Sequence, residues 1–142
     1  MNLKLFKTSS CPEVDKEVLR HFVNFMKYAV KELRLEDKSI KIRLLGANTN
    51  EPITTGAYSP ADKTISVIIE NRHPIDWFRT ISHEMTHMAQ DYNGELNTPH
   101  AEIGGPIEDN ANIMSGRITK YFVKNILTPD DKKRLGLGTY GS

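Results

Sequence analysis

The chain has 142 residues, enough for one domain with a sizeable buried core. Nineteen basic and eighteen acidic residues leave a net charge of +1, well mixed along the chain, so no broad field draws it to nucleic acid. With 38% apolar and 8% aromatic residues and no apolar run long enough to span a bilayer, the composition is that of a soluble globular protein without a membrane partner.

Met1 to Lys7 lacks the sustained apolar stretch of a secretory signal. A lone Cys11 has no intramolecular partner for a disulfide. Both features lead to the expectation of a cytoplasmic protein. Ser10-Cys11-Pro12-Glu13 has the S-x-x-E spacing of a capping box and predicts a helix from there to about Arg34. Val14, Val18, Phe22, Phe25, Met26, Ala29 and Leu33 recur along one face of it and belong to the core, and His21 is read as surface or packing. Ile40, Ile42 and Leu44 alternate with Lys41 and Arg43, the pattern of a half-buried strand. Thr54 to Tyr58, a turn at Ser59-Pro60-Ala61-Asp62 and Thr64 to Ile69 predict a hairpin.

The next helix begins at His73-Pro74, with Asp76 near its positive end, and stops at Asn93-Gly94. Phe78, Ile81, Met85, Met88, Ala89 and Tyr92 form its apolar stripe. The helix carries His83-Glu84-Met85-Thr86-His87, an H-E-x-x-H motif whose two histidines lie roughly opposite that stripe. Histidines four residues apart differ by about 40° around a helix, so both imidazoles leave the same side and can grip one zinc ion. The intervening Glu84 is then placed to act on water held by the metal. The alternative is a pair of surface histidines without a ligand.

A zinc hydrolase needs a third protein ligand and one open coordination position. Asp91, Glu95, His100, Glu102, Glu108 and Asp109 follow the motif. The position six residues after His87, where a third histidine could stand, is Asn93. Asp91 is too near on the same helix, and Glu95, His100 and Glu102 fall in a predicted loop. Gly104-Gly105-Pro106 instead opens a second helix, on which Glu108, Asn112, Ser115 and Thr119 share a polar face. Ile107, Ala111, Met114, Ile118, Tyr121 and Phe122 form the apolar stripe beside it. Glu108 is therefore the expected third ligand. Asn112, one turn on, is placed to hold a ligand imidazole in its tautomer. Gln90, Tyr58 and His73 are candidates for substrate or oxyanion contacts, as are Tyr92 and Arg117, each with a structural role as the alternative. Lys132-Lys133-Arg134, after Pro129-Asp130-Asp131, is read as a solvated helix start, and Gly136 to Ser142 is expected to be a loose tail.

From Arg72 to Asn112 the sequence reads H-P-x-D-x-x-R-T-x-x-H-E-x-x-H-x-x-Q, then G-E-L, then G-G-P-I-E-x-x-A-N. This resembles the gluzincins, zinc peptidases with H-E-x-x-H on one helix and a glutamate on the next. It is similar to small H-E-x-x-H proteins of tailed bacteriophages and to SprT-like metallopeptidases. The resemblance implies that His83, His87 and Glu108 bind zinc and that Glu84 is the catalytic base. Thermolysin-type members carry an aspartate where this chain has Asn112, which can orient a histidine but cannot share its charge. A viral source would put the protein in the host cytoplasm or in the particle.

The expected architecture is thus α+β and zincin-like, a single domain over residues 1–142. It comprises an N-terminal helix, a small three-stranded sheet, the H-E-x-x-H helix and a second helix carrying the glutamate. The expected function is zinc-dependent hydrolysis of peptide bonds in a peptide or protein substrate, with Zn2+ as cofactor. The alternative is a non-catalytic zinc-binding domain serving as a structural or protein-binding module. A protease acting beside DNA rests on the SprT-like similarity alone, and the balanced charge argues against it.

Overall fold

The computed structural model describes residues 2–97 and 105–138. The order is β1 (Asn2–Lys7), α1 (Lys16–Glu32), β2 (Ser39–Leu45), β3 (Gly56–Ser59), β4 (Thr64–Ile68), α2 (Pro74–Tyr92), α3 (Pro106–Tyr121) and α4 (Pro129–Arg134). A 3-10 turn covers Glu95–Asn97, and a π-helical segment, Phe122–Ile126, continues α3. The architecture is α+β, as the patterning predicts.

The sheet has four strands in the order β1-β2-β4-β3 and not the expected three. β1 is the addition. It pairs in parallel with β2, Leu3 beside Ile40 and Leu5 beside Ile42, and α1 makes the crossover that parallel strands require. β2 also runs parallel to β4, whereas β3 is an edge strand antiparallel to β4, with Tyr58 opposite Ile65. The hairpin is as the turn residues predict.

The start of α1 differs from expectation. The hydroxyl of Ser10 accepts a hydrogen bond from the Gly46 amide at 3.1 Å, holding the β1–α1 connection against the end of β2. It is therefore engaged away from any helix end. Asp15 caps α1 instead, its Oδ1 accepting from the amides of Glu17 and Val18.

Helix α2 runs from the His73 cap to Asn93, and Gly94, at φ +78°, takes the left-handed conformation that ends it. Its buried face carries Phe78, Ile81, Met85 and Met88, while Tyr92 emerges exposed with the Lys38 and Lys63 ammonium groups over its ring. Phe78 stacks on Phe25 with ring centroids 4.5 Å apart and meets Phe122 edge-on at 5.7 Å. This aromatic group, together with Ile42, Ile65 and Val67 of the sheet, forms the core between the helices and the strands. Tyr121, expected in the core, is exposed and stacks on Tyr28.

Residues 136–138 are not a loose tail. The Gly136 and Leu137 amides bond back to the Lys133 and Lys132 carbonyls, Gly136 is left-handed, and Leu137 is buried in the core. That is a Schellman closure of α4, with its apolar residue packed inward. The remaining residues of the expected tail, 139–142, lie outside the described residues. No helix among the described residues is long and apolar enough to cross a membrane.

Candidate metal centre

Helix α3 lies across the polar face of α2 and covers it. Ser115 Oγ donates to the Arg79 carbonyl at 3.0 Å, and Gln90 Nε2 donates to the Ile107 carbonyl at 2.9 Å, so the two helices are tied at both ends of the motif. Between these ties the imidazoles of His83 and His87 stand edge-to-face, 4.8 Å apart. Both aim Nε2 at the Glu108 carboxylate. His83 Nε2 is 2.7 Å from Oε1, and His87 Nε2 is 3.1 Å from Oε2. Glu84 joins them: one ligating atom each from His83, Glu84 and His87 falls within a mutual 4.8 Å.

The proton positions follow from the neighbours. The Gln90 amide nitrogen donates to Ile107 O and to Asn110 Oδ1, so its oxygen must be the atom 2.8 Å from His87 Nδ1. An amide oxygen only accepts, so Nδ1 carries a proton and donates. Nε2 then faces a carboxylate oxygen at 3.1 Å, an approach that requires a proton or a cation between the two atoms. Asn112 hydrogen-bonds His83 in turn. Each imidazole is thus held by an amide from the surrounding shell.

The donor set suits zinc. Tetrahedral coordination at roughly 2.0–2.2 Å sets ligand atoms about 3.3 Å apart, a few tenths of an ångström wider than the two Nε2–carboxylate distances. Burial holds the pKa of His83 below the usual histidine value against the opposing charge of Glu108, which favours the lone-pair form a metal needs. Glu84 is 92% shielded from solvent, and burial pushes its carboxyl up to about 7; His87 opposes that rise and the charge of Glu108 adds to it.

A cleft of about 470 Å³ opens over this group, lined by His83, Glu84, Glu108 and Asn112 together with Thr55, Arg79, Thr80, Ser115 and Gly116. Ser115 is on the polar face that the sequence assigns to Glu108, and the sequence gives the other four of these no role. Arg79 and Thr80 stand four and three residues before His83, and Ser115 and Gly116 three and four after Asn112, so helical periodicity carries the signal for all four. Thr55 precedes β3, and no spacing rule points to it.

The other sequence candidates lie elsewhere. Tyr58 donates to Asp91 Oδ2 on the far part of α2, and Lys63 bonds the same oxygen. Tyr58 is therefore a tie between the hairpin and α2, and Asp91 is engaged away from the motif. His73 caps α2 through Nδ1, which accepts from the Ile75 amide, and its Nε2 donates to Gly136 O at 3.1 Å. It stands ten residues before His83, about 15 Å along the helix. Gln90 is buried under His87 and not presented to the cleft. Asp109 is exposed on α3, and Glu95 lies in the 3-10 turn. His100 and Glu102 lie outside the described residues.

Compared with protein-family models, with curated proteins and with solved structures, the chain matches nothing.

Proposed function

We propose that this chain is a zinc-dependent peptidase of the gluzincin type. The observation that carries the reading is the convergence of His83 Nε2, His87 Nε2 and the Glu108 carboxylate, with a buried Glu84 beside them and an open cleft above. Zinc bound by those three residues would supply Lewis acidity for activating water and polarising the scissile carbonyl. A site that serves only the fold has no use for a carboxylate like Glu84 or for an open face.

The chain's own groups do the rest. Glu84 accepts the proton of the attacking water and passes it to the leaving amine. Gln90 and Asn112 hold the two imidazoles so that both Nε2 atoms stay aimed at one point. The edge strand β3 runs next to α2 with one side unpaired by the sheet, and it supports a zincin-like arrangement in which an extended peptide lies beside the cleft. Close approach there depends on Gly56, where a Cβ would stand 2.4 Å from Thr80 Cγ2 and 3.4 Å from Glu84 Cγ.

The test is zinc content together with hydrolysis of a mixed peptide library, for the wild type and Glu84→Gln. The expected result is one zinc per chain in both proteins, with cleavage reduced by about 10²–10⁴-fold or lost in the variant. Cleavage retained by Glu84→Gln, or a protein that takes up no zinc, would overturn the proposal. One zinc and no cleavage in either protein would transfer it to a domain in which the metal serves the fold.

A further inference from the structure

We infer that the outward face of α3 beyond the cleft docks an acidic stretch of polypeptide; that this stretch belongs to the substrate rests on the peptidase reading. From Arg117 to Leu127 the chain carries three cations, Arg117, Lys120 and Lys124, and no acidic residue, although basic and acidic residues nearly balance over the whole sequence. Spacings of three and four set the three side chains on one side of the helix. All three are exposed, and none forms an ion pair with another described residue. Together with Tyr121 and Asn125 they line a groove of about 380 Å³.

Two features build the groove. The Tyr121 ring lies flat against Tyr28 of α1, with centroids 5.8 Å and planes 6° apart, while Glu32 accepts from the Tyr28 hydroxyl. The α-helix then gives way to the π turn, where the Leu127 amide bonds to the Phe122 carbonyl at 3.0 Å. In an α-helix Leu127 would stand about 140° around from Phe122; the wider turn buries both and leaves Lys124, Asn125 and Ile126 facing out. The walls are mostly carbon, from the Tyr121 ring and the long stems of the cations, with the charged ends at the rim. A surface of that kind suits carboxylates set among apolar groups, as an acidic polypeptide presents them. Three cations within two helical turns neutralise few phosphates, a weak basis for holding a nucleic acid strand. The groove also continues the cleft. Lys120 is one turn beyond Gly116, which lines the cleft, on nearly the same side of α3. Glu108 lies about 18 Å before Lys120 along the axis, a distance that an extended peptide covers in roughly five or six residues.

The test compares labelled peptides carrying four Glu or, in the same places, four Gln, alongside a single-stranded thymidine oligonucleotide, by fluorescence anisotropy at low salt. The Glu peptide should bind about tenfold tighter than the Gln peptide, and the difference should shrink as salt is raised. Lys120→Gln together with Lys124→Gln should remove the preference, whereas Lys120→Arg together with Lys124→Arg should keep it, because charge is what the groove supplies. In hydrolysis, a Glu run placed about five or six residues from the scissile bond should lower KM about tenfold with kcat unchanged, and the double Gln variant should lose that gain. A preference that survives the double Gln variant, no preference at all, or tighter binding of the oligonucleotide than of the Glu peptide overturns the inference. A lysine-dependent preference without cleavage of any peptide would sink the peptidase reading and leave the docking surface standing.

Discussion

Gln90 shows how much of the centre depends on a residue that never faces the cleft. Its oxygen accepts from His87 Nδ1, and its nitrogen is bound to the Ile107 carbonyl one residue before Glu108. One amide therefore sets both the tautomer of His87 and the position of the helix bearing Glu108, two of the proposed ligands. Gln90→Leu should lower zinc affinity by about 10–100-fold, read by competition with a chelator of known affinity. Affinity within twofold of wild type would mean that packing alone orients His87. A neighbouring residue gives a pH effect. Burial works to raise the pKa of Asp91, but hydrogen bonds from Lys63 and Tyr58 outweigh it and hold the carboxyl below its ordinary value. A group whose pKa is depressed by folding stabilises the fold above its unfolded pKa, about 3.9, and loses that contribution as pH falls through the lower folded value. Asp91→Asn should cost about 1–3 kcal/mol at pH 6–7, and the difference in Tm from wild type should close toward pH 2–3. A gap that stays constant over that range would contradict the assignment. The motif spacing made His83, Glu84 and His87 legible in the sequence, and helical angles led from Pro106 to Glu108 and Asn112. For Gln90, Tyr58 and His73 the sequence left a site role and a structural role open, because each has a partner chosen by the tertiary fold, 17 residues or more away: Ile107, Asp91 and Gly136.

Two glycines, Gly56 on β3 beside α2 and Gly116 in the cleft lining, predict opposite outcomes. Gly56 lets β3 press against α2; a methyl group there would overlap Thr80 Cγ2 at 2.4 Å and the Ser66 carbonyl at 3.1 Å. Gly56→Ala should destabilise the protein by about 1–3 kcal/mol and slow hydrolysis by moving the edge strand off Glu84. Gly116, in the middle of α3, faces open space and has no left-handed φ. Gly116→Ala should therefore stabilise the fold by about 0.5–1 kcal/mol through helix propensity, seen as a higher Tm. A loss of stability there would mean that α3 approaches something more closely than its geometry indicates. Element boundaries were legible where a local device sets them, as at His73-Pro74, Asn93-Gly94 and Pro106. β1 escaped notice because an edge strand with two half-buried leucines, Leu3 and Leu5, and an exposed Phe6 carries too weak an alternation to register alone. The false start of α1 came from a real capping spacing whose serine is claimed by Gly46, 36 residues away.

At the scale of the molecule, the candidate metal centre and the core occupy different sides of α2. The stacked Phe22, Phe25 and Phe78, with Phe122 edge-on, pack toward α1 and the sheet. The histidines point to α3. Folding energy that comes from burying the aromatic group does not depend on the ion, in contrast to small zinc domains whose only core is the site. Zinc should nevertheless add stability, because the folded chain presents converging ligands that the unfolded chain cannot assemble. Zinc at one hundred times its Kd contributes about 2.7 kcal/mol, which for a chain of this size raises Tm by roughly 10 °C. Dialysis against a chelator should therefore lower Tm by about that amount while leaving a single cooperative transition and native near-UV circular dichroism at 25 °C. Re-addition of zinc should restore the loss in wild type and in Glu84→Gln, but not in His83→Ala, which lacks a ligand. Collapse of the chelated protein to an unfolded chain at 25 °C would show that the ion holds the fold, and the argument for a catalytic rather than structural metal would lose its physical basis.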